Sequence, residues 1–150
     1  MKRILDACCG SKMFWENKEN PDVVFIDNRQ FEDTLCDGRK LIVSPDIKAD
    51  FRNMPFENET FYMVVFDPPH LKNVGPNSWL CKKYGRLEKN WEEDIKKGFE
   101  ECLRVLKPNG TLVFKWSEVQ IPFKKVKELF PQKHLFHYKN NKTFFAVFIK

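Results

Sequence analysis

Phe61-Tyr62-Met63-Val64-Val65-Phe66-Asp67-Pro68-Pro69-His70 is the stretch that decides the reading of this chain. Six residues of near-continuous apolar and aromatic character, two of them β-branched, run into a carboxylate and then two prolines. An uninterrupted apolar run of that length predicts a strand buried on both faces, as in a parallel sheet. The two prolines end it abruptly, because neither can donate a ladder hydrogen bond. In an open parallel sheet, ligands sit beyond the carboxyl ends of the strands, so Asp67 falls where chemistry is expected.

The same pattern recurs upstream. Arg3-Ile4-Leu5-Asp6-Ala7 and Asp22-Val23-Val24-Phe25-Ile26-Asp27 are short apolar runs that end on or beside Asp, and Asp46 to Asp50 is a weaker third. One strand-end Asp is ordinary turn and cap chemistry. Asp6, Asp27, Asp50 and Asp67 in succession point to a site. Downstream, Glu88 to Leu106 carries Trp91, Ile95, Phe99, Cys102, Leu103 and Leu106 at helical spacing. Lys107-Pro108-Asn109-Gly110 is expected to stop that helix. Thr111 to Trp116 reads as a strand, Ile121 to Phe130 as a short amphipathic helix, and Leu135–Tyr138 with Thr143–Ile149 as a hairpin around Asn140-Asn141. Asn28 to Ser44 has no clear helical period, and Pro68 to Leu87 reads as an irregular aromatic and polar loop. Strands alternating with helices predict an α/β fold with three layers, a mostly parallel Rossmann-like sheet and a C-terminal antiparallel hairpin.

The 150 residues suffice for one domain over 1–150, with 42% hydrophobic and 31% charged residues. Fifteen Phe exclude a disordered chain, and no apolar run is long enough to span a bilayer. The start, Met1-Lys2-Arg3-Ile4-Leu5-Asp6, has no signal-type apolar region, so a cytoplasmic location and no membrane partner are expected. The five cysteines contain no Cys-x-x-Cys pair, which argues against zinc or a disulfide framework, and no metal is expected. The net charge of +5 is concentrated late: Lys124, Lys125, Lys127, Lys133, Lys139, Lys142 and Lys150 face Glu128 alone. Such an end attracts phosphates, or is simply a solvated lysine surface.

Taken together, these motifs resemble class I S-adenosylmethionine-dependent methyltransferases, and within them the compact phage- and prophage-type enzymes that methylate exocyclic amines of nucleobases. The resemblance rests on Ile4 to Ser11, Phe25-Ile26-Asp27, Asp50 to Phe56, Asp67-Pro68-Pro69-His70 and Arg104 to Gly110. It implies a methyltransferase fold, S-adenosylmethionine as cofactor and S-adenosylhomocysteine as product. Asp6, Ala7, Cys8 and Gly10 would form the cofactor loop, with Cys8 and Lys12 standing where glycine is common. Asp27 would accept from the ribose hydroxyls, Asp50 from the adenine amine with the Phe51 amide beside it, and Asp67 would border the methyl donor. Asp67, Pro68, Pro69 and His70 would be the catalytic turn; His70 stands where Tyr, Phe or Trp is usual.

The chemistry of that turn follows from the residue types. An exocyclic amine is a poor nucleophile because its lone pair is delocalised into the ring. The Asp67 carboxylate and the Pro68 carbonyl are two acceptors for its hydrogens, and holding them favours a pyramidal nitrogen. Substrate contacts are expected from His70, Trp79, Tyr84, Lys115 and Trp116, with Asn77 to Arg86 as a lid. Adenine N6 in DNA is the expected target. RNA, a free nucleotide or a protein amide nitrogen are alternatives, as is a non-catalytic binding module. A dehydrogenase is disfavoured, since Gly-x-Gly-x-x-Gly is missing after the first strand. No separate target-recognition domain fits in the length, so specificity is expected from Pro68–Leu87, the basic C-terminal part, a second subunit or a partner protein.

Overall fold

The computed structural model describes residues 1–150. Nine strands and three helices follow in order: β1 (Ile4–Asp6), β2 (Val23–Asp27), β3 (Phe31–Thr34), β4 (Lys40–Val43), β5 (Ile47–Lys48), β6 (Phe61–Phe66), α1 (Trp79–Tyr84), α2 (Trp91–Val105), β7 (Leu106–Ser117), α3 (Phe123–Lys127), β8 (Phe136–Asn140) and β9 (Thr143–Ile149). Seven strands form one sheet in the order β5-β2-β1-β6-β7-β9-β8. All pairings from β5 to β7 are parallel, and β9 and β8 close the sheet antiparallel. The expected α/β fold, a parallel sheet ending in an antiparallel hairpin, is the one observed.

The strand order fixes where a ligand can sit. From β1 the chain winds outward to β2 and β5, then returns to β6 on the other side of β1. The topological switch therefore lies between the carboxyl ends of β1 and β6, where the diverging loops leave a crevice. Asp6 ends one strand and Asp67 follows the other.

The core lies between the sheet and α2 with α3. Helix α2 buries Trp91, Ile95, Phe99, Cys102 and Val105, the stripe its sequence predicts. Gly98 lets it approach the sheet: a Cβ there would meet Phe51 at 2.5 Å and Phe66 at 2.6 Å. Leu112, Phe114 and Trp116 of β7 and Phe144, Ala146 and Phe148 of β9 are buried on this face, and Phe123 of α3 stacks on Phe144. On the opposite face, helices are replaced by connecting segments. The crossover from β1 to β2 is a loop that sets Trp15 edge-on against Phe25. The crossover from β2 to β5 carries the β3–β4 hairpin.

Three elements depart from the sequence reading. Helix α2 stops at Val105, just before Lys107–Gly110 as expected, but the strand that follows begins at Leu106 and not at Thr111. The Pro-Asn-Gly turn is absorbed as a bulge, with Phe61 opposite Leu106 but Met63 opposite Thr111. Asn109 takes a left-handed φ of 64° there. Asn28–Ser44 holds a hairpin around Asp37-Gly38, with Gly38 at φ 85°. The lid region contains α1, capped by the Ser78 hydroxyl accepting from the Cys81 amide.

Candidate active site

Three of the four strand-end carboxylates are held by one local device. In each, the amide of residue i+2 donates back to the Asp side chain, an Asx turn. Cys8 N donates to Asp6 Oδ1 (3.2 Å), Arg29 N to Asp27 Oδ1 (2.9 Å) and Arg52 N to Asp50 Oδ1 (2.8 Å). Asp6 also accepts from Trp15 Nε1 at 2.7 Å. Asp27 accepts from Gly10 N at 2.8 Å and lies near Arg29 Nε at 3.4 Å, while Asp50 is clasped by the Arg52 guanidinium.

Asp67 cannot form this turn, because its residue i+2 is Pro69, which has no N–H. Its only protein partner is distant in sequence: Lys115 Nζ donates to Oδ2 at 3.1 Å. Asp67 Oδ1 and the Pro68 carbonyl have no protein donor. Neither does His70 bond through its ring nitrogens. Its ring lies 5.7 Å from that of Tyr84 and edge-on to Trp116.

These groups border a cavity of about 130 Å³ at the ends of β1, β2, β6 and β7. Asp6, Cys8, Gly10, Asp27, Asp67, Pro68, His70, Tyr84 and Lys115 line it, so the structure brings most of the expected residues together. A second hollow of about 340 Å³ shares Asp67, His70, Tyr84 and Lys115 and is closed by Leu71, Leu80 and Val119. Ala7 is buried beneath the loop. Trp116 is also buried, with Nε1 donating to the Ile121 carbonyl, and reaches the site only through His70. Trp79 is exposed with Lys83 over its ring and lines neither cavity. Asp50 and Phe51 are likewise outside both: Asp50 is spent on Arg52, and Phe51 packs on Phe66 under α2. Neither cavity extends to Asp50 or to the Phe51 amide, the pair expected beside a cofactor's adenine.

Arg29 is the contributor that the sequence reading missed. It bonds the Lys82 carbonyl at 2.8 Å and so ties the end of α1 to Asp27. The signal was the Asp-x-Arg spacing, which recurs at Asp37-Gly38-Arg39 and Asp50-Phe51-Arg52 and makes the same local pair each time. The loop after β1 keeps a glycine-type path despite its altered residues. Gly10 and Lys12 have φ values of 49° and 59°, and the Lys12 amine sits over the Phe25 ring.

Burial sets the electrostatics. Asp6 is pushed up to about 7, first by desolvation, against the lowering bond from Trp15, and further by the charges of Asp67 and Asp27. Asp67 is raised by burial and pulled back by the Lys115 charge and hydrogen bond. The Cys8 thiol is raised by burial and by Asp27, Asp6 and Asp67. His70 is lowered to about 4 by burial and then by Lys115, so its imidazole is neutral at ordinary pH.

The sequence matches no family model and no curated protein. Among solved structures it is similar to the PH0226 protein from Pyrococcus horikoshii OT3, with a TM-score of 0.55 at 15% identity, over 97% of this chain and 81% of that one. A likeness at that identity shows the fold alone. No helix is long and apolar enough to cross a membrane, and no cluster of three or more His, Cys, Asp or Glu side chains is arranged to hold a metal ion.

Proposed function

We propose that the chain transfers a methyl group from S-adenosylmethionine to an exocyclic amine of a nucleobase, with adenine N6 in DNA as the first substrate. The observation that carries this reading is the Asp67-Pro68 turn. It offers two unpartnered acceptors, Asp67 Oδ1 and the Pro68 carbonyl, at the switch point of the sheet.

The lining residues fit the cofactor's cationic end. Asp6, Asp27 and Asp67 converge on one cavity closely enough to raise the Asp6 carboxyl, and a positive charge among them relieves that repulsion. Arg29 and Lys83 on the same lining suit a carboxylate. Asp27 would meet ribose hydroxyls once the 3.4 Å contact from Arg29 Nε gives way. When bound, the cofactor supplies an electrophilic methyl group on a sulfonium sulfur.

The remaining work belongs to the protein. Asp67 Oδ1 and the Pro68 carbonyl take the two amine hydrogens and free the nitrogen lone pair. The amine nitrogen held there would form the new C–N bond with the methyl group that a bound cofactor would supply, and the electron pair of the C–S bond would stay with the departing thioether. The nitrogen then sheds one proton, which Asp67, its carboxyl raised by burial, can accept before solvent takes it. Neutral His70 and Tyr84 present planar faces to the target ring without adding a charge. A base in a duplex must be extruded at about a few kcal/mol, so single-stranded DNA is the more sensitive substrate.

The test is incorporation of labelled methyl from S-adenosylmethionine into single- and double-stranded DNA, with RNA, nucleotides and protein in parallel. Incorporation at adenine N6 supports the reading. Labelling only of RNA, nucleotide or protein moves the target, and cofactor binding without transfer to any of them leaves a binding module.

A further inference from the structure

Asp67 and Lys115 are the next residues along from the paired Phe66 and Phe114, on adjacent parallel strands. The ladder thus sets Lys115 Nζ 3.1 Å from Asp67 Oδ2, so that the ammonium and the free Oδ1 of the same carboxylate lie on the wall shared by both cavities. Lys115 spends one of its three hydrogens on Asp67 and has no other hydrogen-bond partner in the protein. The two side chains are 29% and 28% exposed, so a ligand in the cavity can reach both.

We infer that Lys115 is a specificity-determining residue: it donates to the acceptor atom beside the target amine, so that the site selects an amidine edge, N–C=N, as in adenine or cytosine. This deepens the methyl-transfer reading and rests on it. The complement of an acceptor next to a donor is a donor next to an acceptor, here an amine beside a ring nitrogen. An alkylamine offers no such acceptor, and in its protonated form it meets Lys115 as a like charge. His70 cannot take the role as a cation, being neutral. A hydrogen bond to the ring nitrogen draws density away from the amine, so Lys115 positions the base and does not activate it. Its loss therefore raises KM more than it lowers kcat.

The experiment uses single-stranded oligonucleotides that carry one adenine, one 1-deazaadenine or one 7-deazaadenine. Replacing N1 by CH removes the acceptor beside N6; replacing N7 leaves it. Wild type should lose about tenfold or more in kcat/KM on 1-deazaadenine and stay within about threefold on 7-deazaadenine. Lys115→Met should act equally poorly on adenine and 1-deazaadenine, with the loss in KM, and Lys115→Arg should recover the discrimination. Equal wild-type rates on adenine and 1-deazaadenine overturn the role of Lys115 and leave methyl transfer standing; that comparison needs no variant. Absence of transfer to these and to matched cytosine and RNA oligonucleotides removes the methyl-transfer reading itself.

Discussion

The turns after β1, β2 and β5 and the turn after β6 begin with the same side chain and reach opposite states. Asp6, Asp27 and Asp50 each accept the amide two residues on, and each gains further donors from Trp15, Gly10 or an arginine. Asp67 is followed by two prolines, so the chain cannot offer it an amide, and Oδ1 and the Pro68 carbonyl are free of protein donors. Of the first group, Asp6 and Asp27 build walls of the cavity with their oxygens held by protein donors, and the second is available to a ligand. Two missing N–H groups make that difference. An Asp at a strand end is by itself a structural residue, and it stays open to a ligand when its neighbours cannot satisfy it.

The comparison can be broken most directly at Asp67. Asp67→Ala should cut methyl transfer by about 10²–10³-fold, as loss of one group aimed at the transition state does. Thermal unfolding should barely move, because no backbone group depends on that carboxylate. A large fall in Tm would place Asp67 with the wall-building carboxylates. Asp27→Ala should weaken cofactor binding and, unlike Asp67→Ala, also lower stability. It strands the Gly10 and Arg29 amides, at about 1–3 kcal/mol each, and thermal denaturation should show the loss.

Pro69→Ala sharpens the contrast without removing a side-chain functional group. It restores an amide two residues after Asp67, which the carboxylate can then accept. Competition from a bond to a charged group is worth about 1.5–3 kcal/mol, so transfer should fall by about tenfold or more. Unchanged kinetics would mean that the prolines serve only to end the strand. Asp6 gives a pH signature. Its carboxyl is raised in the folded state from the ordinary value near 3.8 to about 7. Between those values the folded chain binds more protons than the unfolded one. Stability should therefore fall as pH rises from about 4 to 7, by at most about 1.4 kcal/mol per pH unit, and then level off. Denaturant titrations across that range should show the slope, and Asp6→Asn should reduce it, leaving the part that the raised Asp67 carboxyl contributes. The smallest expected effect is at His70. With its imidazole lowered to about 4, the rate of transfer should show no histidine inflection between pH 5 and 8. An inflection that disappears in His70→Phe would make the ring a titrating group.

Much of this was legible in the order of residues. The runs ending at Asp6, Asp27 and Asp67 became parallel strands because side chains buried on both faces need no alternation, and α2 kept its apolar stripe. The Asp37-Gly38 hairpin and the Asp-x-Arg clasps carry short-range signals as well, since each depends on residues two apart. Lys107–Gly110 followed the end of α2 as a breaker pattern should, but Leu106 was drawn into the ladder with β6 and the four residues were held as a bulge. The surroundings of Asp50 and Phe51 depend on packing as well: the acid pairs with a cation two residues away, and the Phe51 ring packs on Phe66 under α2.

What the sequence alone determined is therefore local: which segments are strands, which Asp side chains can close on their own backbone, and that Asp67 cannot. What only the tertiary structure decided is which groups meet across the fold. Lys115 reaches Asp67 over 48 residues because β7 lies beside β6 in register. His70 settles between Tyr84 and Trp116 because the lid and the end of β7 converge on the same crevice. The physical reason is range. Turn chemistry and periodicity act over a few residues and can be read along the chain, whereas a site at a topological switch point exists only once distant strands have paired.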